Sequence, residues 1–569
     1  MNAEETFDVV IVGAGHNGTT LGAYLAKCGL SVCLLEDRPE GGGGQENTEI
    51  FAGVRASVHA VGQVSAPAPA WEQLELVKYG YRHQWPVTST IRGKIPPLIL
   101  TTEGWIRTTE KDNQAWMKLS GMAAEQPFIK DLLRAVYWCP PHPPEVEVTA
   151  DNMPFMQVYK QHAPDIWTPE LLEMTMFDFL DEYVESEPVK VFAANLAGLT
   201  VSHGHFEGMA IPAFASVVMD TYHDRGIGPH GNMHGFYHAI YRCAIAHGAI
   251  MRTCCPVEEI IISNGRAVGV RLRDDAAWGE KRIWAKKAVV SAIDTKQTFL
   301  KLIGPSHLDA SLIQKIKDLS VLGGGLVHAQ FLCKEQFRFK ERFREGWGKL
   351  DTFYGAMYPC DSREIYFENI ADQFGRIGKP TVPPERLLWL MNGSGHFNPI
   401  VDKQCNRPGL IVEGPFDCVV PYPEEHMRIP GQGMEEIREW VHDYIIEALS
   451  QVVENANADN ITARWSGNPY DSEWRNAGLM GGSWYGITPT RDQWFNKRPT
   501  PELARYKTPI EGLYLCNQFS AHPGGMCLMA IPYNLMHILI EDGIAEPGDW
   551  WFASPWYIPQ EGKISAAGR

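Results

Sequence analysis

The stretch that decides the fold is FDVVIVGAGHNG, residues 7–18, close to the start of the chain. Its first six residues form a nearly continuous apolar run, the pattern of a buried parallel strand. Gly13, Gly15 and Gly18 follow at once in the G-x-G-x-x-G spacing. Gly13 permits a tight turn, Gly15 lets the backbone approach a pyrophosphate, and Gly18 lets the next helix pack closely on the strand. The stretch therefore predicts a dinucleotide site.

The residues that follow complete a strand–helix–strand unit. The predicted helix has one apolar face, made of Leu21, Tyr24, Leu25 and Cys28. Residues 31–36, SVCLLE, predict a second strand that ends in Glu36, at the position where a carboxylate accepts hydrogen bonds from a ribose. An acid at this position favours FAD or NAD, which carry a free 2′-hydroxyl, over NADP.

A second glycine match, GIGPHG, places Gly226, Gly228 and Gly231 in the same spacing. The residues before it do not resemble a buried strand, and Pro229 lacks the backbone N–H that a phosphate site needs. We therefore predict a single nucleotide site.

The length, composition and charge of the chain exclude some classes of protein. The 569 residues include 44% hydrophobic and 21% charged residues, as in ordinary globular proteins, and this length predicts more than one folding unit. A net charge of −17 without a Lys/Arg run argues against a nucleic-acid partner.

The twelve cysteines show no C-x-x-C pair, so they are expected to be reduced thiols. An acidic N-terminus favours a cytoplasmic protein, with peripheral membrane contact left open.

Two further stretches carry a family resemblance: DRPEGGGGQENTEIFAGVRASVHA, residues 37–60, and RPTPELARYKTPIEGLYLCNQFSAHPGGMCLMAIPYN, residues 498–534. Both resemble the phytoene-desaturase-like branch of the flavin amine-oxidase superfamily. That branch includes carotenoid desaturases, retinol saturases and pyridine nucleotide-disulphide oxidoreductase domain-containing proteins. Residues 231–300 are similar to the second FAD-binding segment of that family, and they contain a predicted hairpin with a two-residue turn at Asn264 and Gly265.

The resemblance implies non-covalent FAD and assigns residues to it. Glu36 and Arg38 would hold the adenosine ribose region, and Val257 would contact the adenine through its backbone. Gly42 and Gly43 would approach the diphosphate. The C-terminal block would close over the flavin, and its expected cofactor residues are Asn517, Gly524, Gly525 and Met526.

FAD-dependent desaturation removes a hydride to the flavin and a proton to a base or to water. The candidate catalytic residues are His59, His522 and Tyr485. Each histidine is either a base or a ring that holds its loop by hydrogen bonds, and Tyr485 with its neighbour Trp484 is more typical of a pocket wall.

Histidines cluster between residues 203 and 247, and His234 and His238 have the i, i+4 spacing of a zinc-binding pair. No acid lies within the intervening HGFYH, and the resemblance implies no metal. The sequence therefore predicts no metal site.

Together these features predict an α/β protein with a discontinuous Rossmann-type FAD domain and an inserted mixed α+β substrate domain. The FAD domain is expected to comprise residues 1–75, 226–304 and 476–545. The substrate domain is expected to comprise residues 76–225 and 305–475. The aromatic, proline-rich tail, residues 546–569, either docks on the body or meets a partner.

The predicted function is FAD-dependent dehydrogenation, or desaturation, of a hydrophobic small molecule. A quinone, oxygen or a carrier protein would reoxidise the flavin, and homo- or hetero-oligomers remain open. The alternatives are a flavin amine oxidase, a redox-neutral isomerase that uses reduced FAD, and a non-catalytic flavoprotein assembly factor.

Overall fold

The computed structural model describes most of the chain. The described residues are 5–52, 54–60, 67–85, 95–222, 227–229, 232–321, 325–335, 337–344, 356–375, 381–393, 415–421, 434–484, 486–519, 521–525 and 529–560. Within them, no helix is both long enough and apolar enough to cross a bilayer.

The strands, in chain order, are β1 Glu5–Val12, β2 Val32–Leu35, β3 Asn47–Phe51, β4 Val54–Ser57, β5 His83–Trp85, β6 Leu98–Thr101, β7 Gly104–Arg107, β8 Ile227–Pro229, β9 Ile250–Arg252, β10 Val257–Ser263, β11 Arg266–Leu272, β12 Arg282–Ser291, β13 Leu326–Cys333, β14 Ala356–Tyr358, β15 Trp389–Gly393, β16 Pro415–Pro421, β17 Ile461–Gly467 and β18 Leu513–Leu515.

The helices are α1 His16–Lys27, α2 Ala70–Gln73, α3 Glu110–Leu119, α4 Ile129–Tyr137, α5 Pro154–His162, α6 Met176–Asp181, α7 Glu187–Thr200, α8 Ala210–Thr221, α9 Asn232–Ala246, α10 Thr295–Gln297, α11 Ala310–Lys317, α12 Glu341–Arg344, α13 Arg363–Gly375, α14 Met434–Ser450, α15 Pro469–Arg475 and α16 Ala530–Glu541. Residues Thr298–Ile303 form a π-helical turn.

The first sheet has seven strands, in the order β10-β11-β12-β1-β2-β9, with β18 also paired to β12. Strands β9, β2, β1, β12 and β18 are parallel, so their carboxyl ends meet along one edge. Residues 9–12 of β1 are buried, as expected for a strand covered on both faces. This sheet and its helices confirm the predicted α/β class.

Helix α1 packs between α9 and α16. Its predicted apolar face is buried at Leu21, Tyr24 and Leu25, whereas Cys28 just beyond the helix is partly exposed. The predicted hairpin joins β10 to β11, and its turn residues Asn264 and Gly265 have φ of 51° and 76°. Two consecutive positive φ angles are what a primed two-residue turn requires.

The second sheet is antiparallel, in the order β14-β15-β16-β13-β17, and α14 covers one face. All five of its strands lie within residues 305–475, and all seven strands of the first sheet lie within the three segments predicted for the FAD domain. The domain boundaries themselves stay a prediction.

The second glycine match is described only in part, because Gly226 and Gly231 lie outside the described residues. Its described part is β8, which pairs with β5 in a separate two-stranded ribbon.

The described part of the tail, residues 546–560, docks on the body. Trp550 stacks on Tyr24 of α1 with ring centroids 6.0 Å apart, and the backbone N–H of Ser554 donates to His537 Nε2 of α16 at 2.8 Å. Both contacts are those expected of a tail that docks on the body.

Candidate functional site

A cavity of about 450 Å³ follows the carboxyl edge of the first sheet. Residues one or two positions after β1, β2, β12 and β18 line it, among them Gly13, Glu36, Ala292 and Asn517. Ligands of open α/β sheets bind at this edge because the parallel strands deliver their loops to it. The cavity is therefore the candidate site.

The glycine turn forms one wall of this cavity. Gly13 has φ of +96°, which side chains disfavour, and a Cβ on Gly18 would lie 2.2 Å from the Gly13 carbonyl oxygen. Gly15 lines the cavity, and its nearest neighbour is the Cα of Gly43, 3.6 Å from the position of a Cβ. These three positions thus meet the three demands that the sequence motif predicts: a tight turn, open space and close packing.

Helix α1 points its N-terminus at the cavity. His16 and Asn17 of its first turn line the wall, and this turn carries no acidic side chain. The Oδ1 atom of Asn17 is buried and has no hydrogen-bond partner among the described residues. The free N–H groups and the positive end of the helix dipole suit an anion such as a phosphate.

Glu36 is buried at the end of β2, with 8% of its surface exposed. Its Oε2 accepts a hydrogen bond from the backbone N–H of Ala14 at 3.0 Å, and its Oε1 accepts one from the N–H of Arg38 at 3.1 Å. Burial raises the pKa of this carboxyl, although both bonds act in the opposite direction. Each oxygen keeps a further lone pair, so the carboxylate can also accept from a pair of ribose hydroxyls.

The loop after Glu36 runs beside the glycine turn. The backbone N–H of Gly42 donates to the Ala14 carbonyl at 3.1 Å, while Gly43 and Gln45 line the cavity. Both side-chain amide atoms of Gln45 are buried without a hydrogen-bond partner in the described chain. The sequence does not predict Gln45 as a site residue. Its buried amide without a hydrogen-bond partner is the feature that marks it as one in the structure.

A charged cluster surrounds Glu46, just beyond this loop. Arg38 bonds to its carboxylate, Arg475 Nε lies 3.0 Å from Oε1, and His59 Nδ1 lies 3.6 Å from Oε1. Burial alone would raise the pKa of Glu46, but these neighbours, led by Arg38, hold it below its usual value. Arg475 comes from α15, so the cluster ties the loop to a distant part of the chain.

The lining of the cavity also includes the aromatic rings of His59, Trp484 and Phe519. His59 meets Trp484 edge to face with ring centroids 5.7 Å apart, and His328 of β13 meets the same Trp484 at 5.8 Å. Burial lowers the pKa of His59 to about 3, although Glu46 acts in the opposite direction. His59 is therefore a neutral ring in this wall, beside Asn517 and Phe519.

The predicted site residues fall into four groups. Those that line the cavity are Gly13, Gly15, Glu36, Arg38, Gly43, His59, Val257 and Asn517. Gly18 and Gly42 lie behind the lining, where Gly18 packs on Gly13 and Gly42 packs on His234. Tyr485 and Met526 lie outside the described residues.

His522, Gly524 and Gly525 do not belong to the described lining of the cavity. His522 is fully buried between Trp494 and Phe495, with ring centroids 4.9 and 5.2 Å away, and burial lowers its pKa well below the ordinary value. A Cβ on Gly525 would lie 3.0 Å from Val201 Cγ2, at the end of α7. The described contacts of His522 and Gly525 are thus with Trp494, Phe495 and Val201, and their place beside the flavin stays a prediction.

Arg498 organises that loop. It is fully buried and donates to four backbone carbonyls, those of Ile487, Gln493, Phe519 and Ala521, at 3.1 to 3.3 Å. Gly524 packs directly on this guanidinium. The hydrogen bonds hold residues 517–519, which line the cavity, against the segment that contains Trp484.

The structure adds lining residues that the sequence did not single out. Asp294, after β12, caps α10 by accepting from the Gln297 N–H at 2.9 Å, and burial raises its pKa to about 6. Residues 474–479 enter the cavity from the chain beyond β17. No motif marks either one, because only the packing of separate segments brings them to the site.

No family model matches this sequence. The chain is 24% identical to one of the subunits of limonene dehydrogenase from Castellaniella defragrans, over 97% of both chains. It is 23% identical to pyridine nucleotide-disulfide oxidoreductase domain-containing protein 2 of Rattus norvegicus, over 94% of both chains. These relatives confirm the predicted resemblance, because they extend over nearly the whole chain.

Solved structures share the fold. An oxidoreductase from Methanosarcina mazei matches 94% of this chain with a TM-score of 0.53 and 15% identity. Putrescine oxidase bound to putrescine matches 93% with a TM-score of 0.51 and 14% identity. At this identity the likeness shows the architecture alone.

Proposed function

We propose that this chain, a relative of the phytoene-desaturase-like proteins, is an FAD-dependent oxidoreductase that dehydrogenates a hydrophobic small molecule. The observation that carries the proposal is one continuous cavity. It joins the glycine turn and Glu36 to the aromatic wall of His59 and Trp484. The first arrangement suits a dinucleotide and the second suits an apolar reactant.

The cavity residues fit FAD. Val257 and Glu36 would hold the adenosine, and the first turn of α1 together with Gly15 and Gly43 would hold the diphosphate. A Cβ on Gly15 would project into the space that the phosphates need. The unsatisfied amides of Asn17 and Gln45 supply further polar contacts for a bound group. These contacts would hold FAD without a covalent bond from a cysteine or histidine to the flavin.

When bound, FAD supplies a hydride acceptor for the dehydrogenation. The aromatic wall would orient the reactant, since Trp484 and Phe519 are almost fully buried and present apolar rings to the cavity. A dehydrogenation also releases a proton. His59, with its pKa lowered to about 3, is a poor acceptor for it, and we assign the proton to water. His522 is assigned a structural role because it is enclosed by Trp494 and Phe495.

The hydrophobic class of reactant is supported by the described aromatic wall and by the relative named for limonene. That relative is named as a subunit, so a second chain or a carrier protein is a reasonable electron acceptor to test. A quinone or oxygen would serve the same chemistry.

The test is anaerobic flavin bleaching by a compound panel. The panel contains limonene and other cyclic hydrocarbons, a retinoid, and amines that include putrescine. We expect yellow protein whose flavin absorbance is lost with a hydrocarbon and restored by a dye acceptor. Bleaching by amines alone would replace the proposal with an amine oxidase. Isomerisation that needs pre-reduced flavin would indicate an isomerase, and a flavin that no compound reduces would indicate an assembly factor.

His59→Phe tests the role of the aromatic wall. A general base contributes about 10²- to 10⁴-fold to a rate, whereas a ring that only packs is largely replaced by phenylalanine. We expect the variant to reduce its flavin within about tenfold of wild type. The wild-type reduction rate should show no inflection from this ring between about pH 5 and about pH 9, because a group with so low a pKa is already neutral there.

Stopped-flow measurement across this pH range, with FAD occupancy determined in parallel, decides the role of His59. A thousandfold loss of rate in a fully occupied variant would restore His59 as the base.

A further inference from the structure

We propose that Glu40, His234 and His238 bind a divalent transition-metal ion, with Zn²⁺ as the natural candidate. His234 and His238 lie one turn apart on α9, and Glu40 comes from the loop after β2. The Nε2 atom of His234 lies 2.7 Å from Glu40 Oε1, and that of His238 lies 3.7 Å from the same oxygen. The three ligand atoms all lie within 4.8 Å of one another.

The ring of His234 is oriented for a cation. Its Nδ1 lies 3.0 Å from the carbonyl oxygen of Gln45, which can only accept, so Nδ1 carries the hydrogen. In the neutral ring, Nε2 then directs a lone pair at a carboxylate oxygen. Two acceptors at this distance need a proton or a metal ion between them. Metal-binding histidines commonly donate their other N–H to a carbonyl in this way.

The third ligand favours a metal ion over a proton. His238 adds a second imidazole at the i, i+4 spacing, and two imidazoles with one carboxylate form a ligand set typical of Zn²⁺. Water would complete a tetrahedral site. The ion can enter from solvent, since the side chains of Glu40 and His238 are 51% and 40% exposed while His234 is buried.

A metal ion at this site would restrain the loop of residues 40–45, part of which lines the cofactor cavity. Gly42 packs on the His234 ring, and Gln45, whose carbonyl accepts from that ring, lines the cavity two residues beyond Gly43. A metal ion bound by Glu40 and α9 would therefore restrain residues 40–45. This consequence for cofactor retention rests on the proposed function, whereas metal binding itself does not.

The test is zinc binding to full-length protein that has been stripped with a chelator, measured by competition with a chromophoric zinc indicator. We expect one equivalent in wild type. Loss of a direct ligand should weaken binding by more than about 100-fold, because even the outer partners of metal ligands contribute about 10- to 100-fold. The variants are His238→Ala and Glu40→Gln. The matched control is His247→Ala, just past the same helix, where the ring contacts Tyr79 instead.

Cobalt substitution supplies a second measurement. Co²⁺ should give visible absorption bands in wild type and in His247→Ala, with the bands lost in the two ligand variants. Equal melting temperatures without metal establish that those variants are folded. No zinc binding by wild type, or equal binding by His238→Ala, overturns the site and leaves a proton shared between His234 and Glu40. Zinc and cobalt binding can be measured with or without FAD. Failure of the metal site is therefore distinguishable from failure of the proposed oxidoreductase function.

Discussion

Gly15→Val should yield a folded but colourless protein whose affinity for FAD is at least about 100-fold below wild type. Gly15 has φ of −67°, which valine adopts without strain, and the nearest atom to a Cβ is 3.6 Å away. The added methyl groups would occupy the space between the first turn of α1 and Gly43. Loss of charge-assisted bonds from the N–H groups to phosphate would cost about 3 kcal/mol, which corresponds to this factor.

The measurement is FAD titration of the apoprotein by fluorescence quenching, with circular dichroism and melting temperature recorded beside it. Gly279→Val is the control for a β-branched side chain on glycine, because a Cβ there meets no atom within 4 Å and the residue lies outside the cavity lining. Wild-type affinity in Gly15→Val would show that the diphosphate does not lie against this turn.

Arg498→Leu should lower the free energy of unfolding by about 3–5 kcal/mol and reduce FAD occupancy with it. The guanidinium donates to four carbonyls, three of them in buried bonds, and each buried carbonyl left without a donor costs at least about 1 kcal/mol. Leucine fills part of the volume and supplies no donor. The carbonyls of Phe519 and Ala521 would lose a donor, and residues 517–519 would no longer be held in the cavity wall.

Arg498→Lys should rescue little of this loss, because an ammonium group cannot present the planar set of donors that reaches all four carbonyls. Arg491→Ala is the matched control. Arg491 forms an exposed ion pair with Glu173, and such pairs contribute about 0–1 kcal/mol. Denaturant unfolding and bound-flavin content, measured on all three variants, test the assignment. A stable Arg498→Leu protein with full FAD content would contradict it.

The local structure of the N-terminal unit was predictable from the sequence. Each element is specified by neighbours in the chain: an apolar run for β1, glycines at a fixed spacing for the turn, and a one-sided apolar pattern for α1. The hairpin at Asn264 and Gly265 follows the same logic, since a two-residue turn determines its own strand pairing. The cavity residues Gly13, Gly15 and Glu36 lie within this unit.

Residues whose surroundings come from distant segments were not predictable in the same way. Gln45 and Asp294 carry no motif, and burial within the folded protein is what makes them part of the cavity. His522 contacts Trp494, and a Cβ on Gly525 would meet Val201, contacts that no motif predicts; their place beside the flavin stays a prediction from the resemblance.

The three candidate metal ligands comprise two residues that are close in the sequence and one that is distant. The sequence alone determined the helical pair of His234 and His238, because an i, i+4 spacing places two side chains on one face of a helix. It argued against a metal site because no acid lies between them. Only the tertiary structure brings Glu40, 194 residues away in the chain, within 2.7 Å of His234. The physical reason is that a helix determines contacts over one turn, whereas a third ligand is supplied by the packing of the loop after β2 against α9.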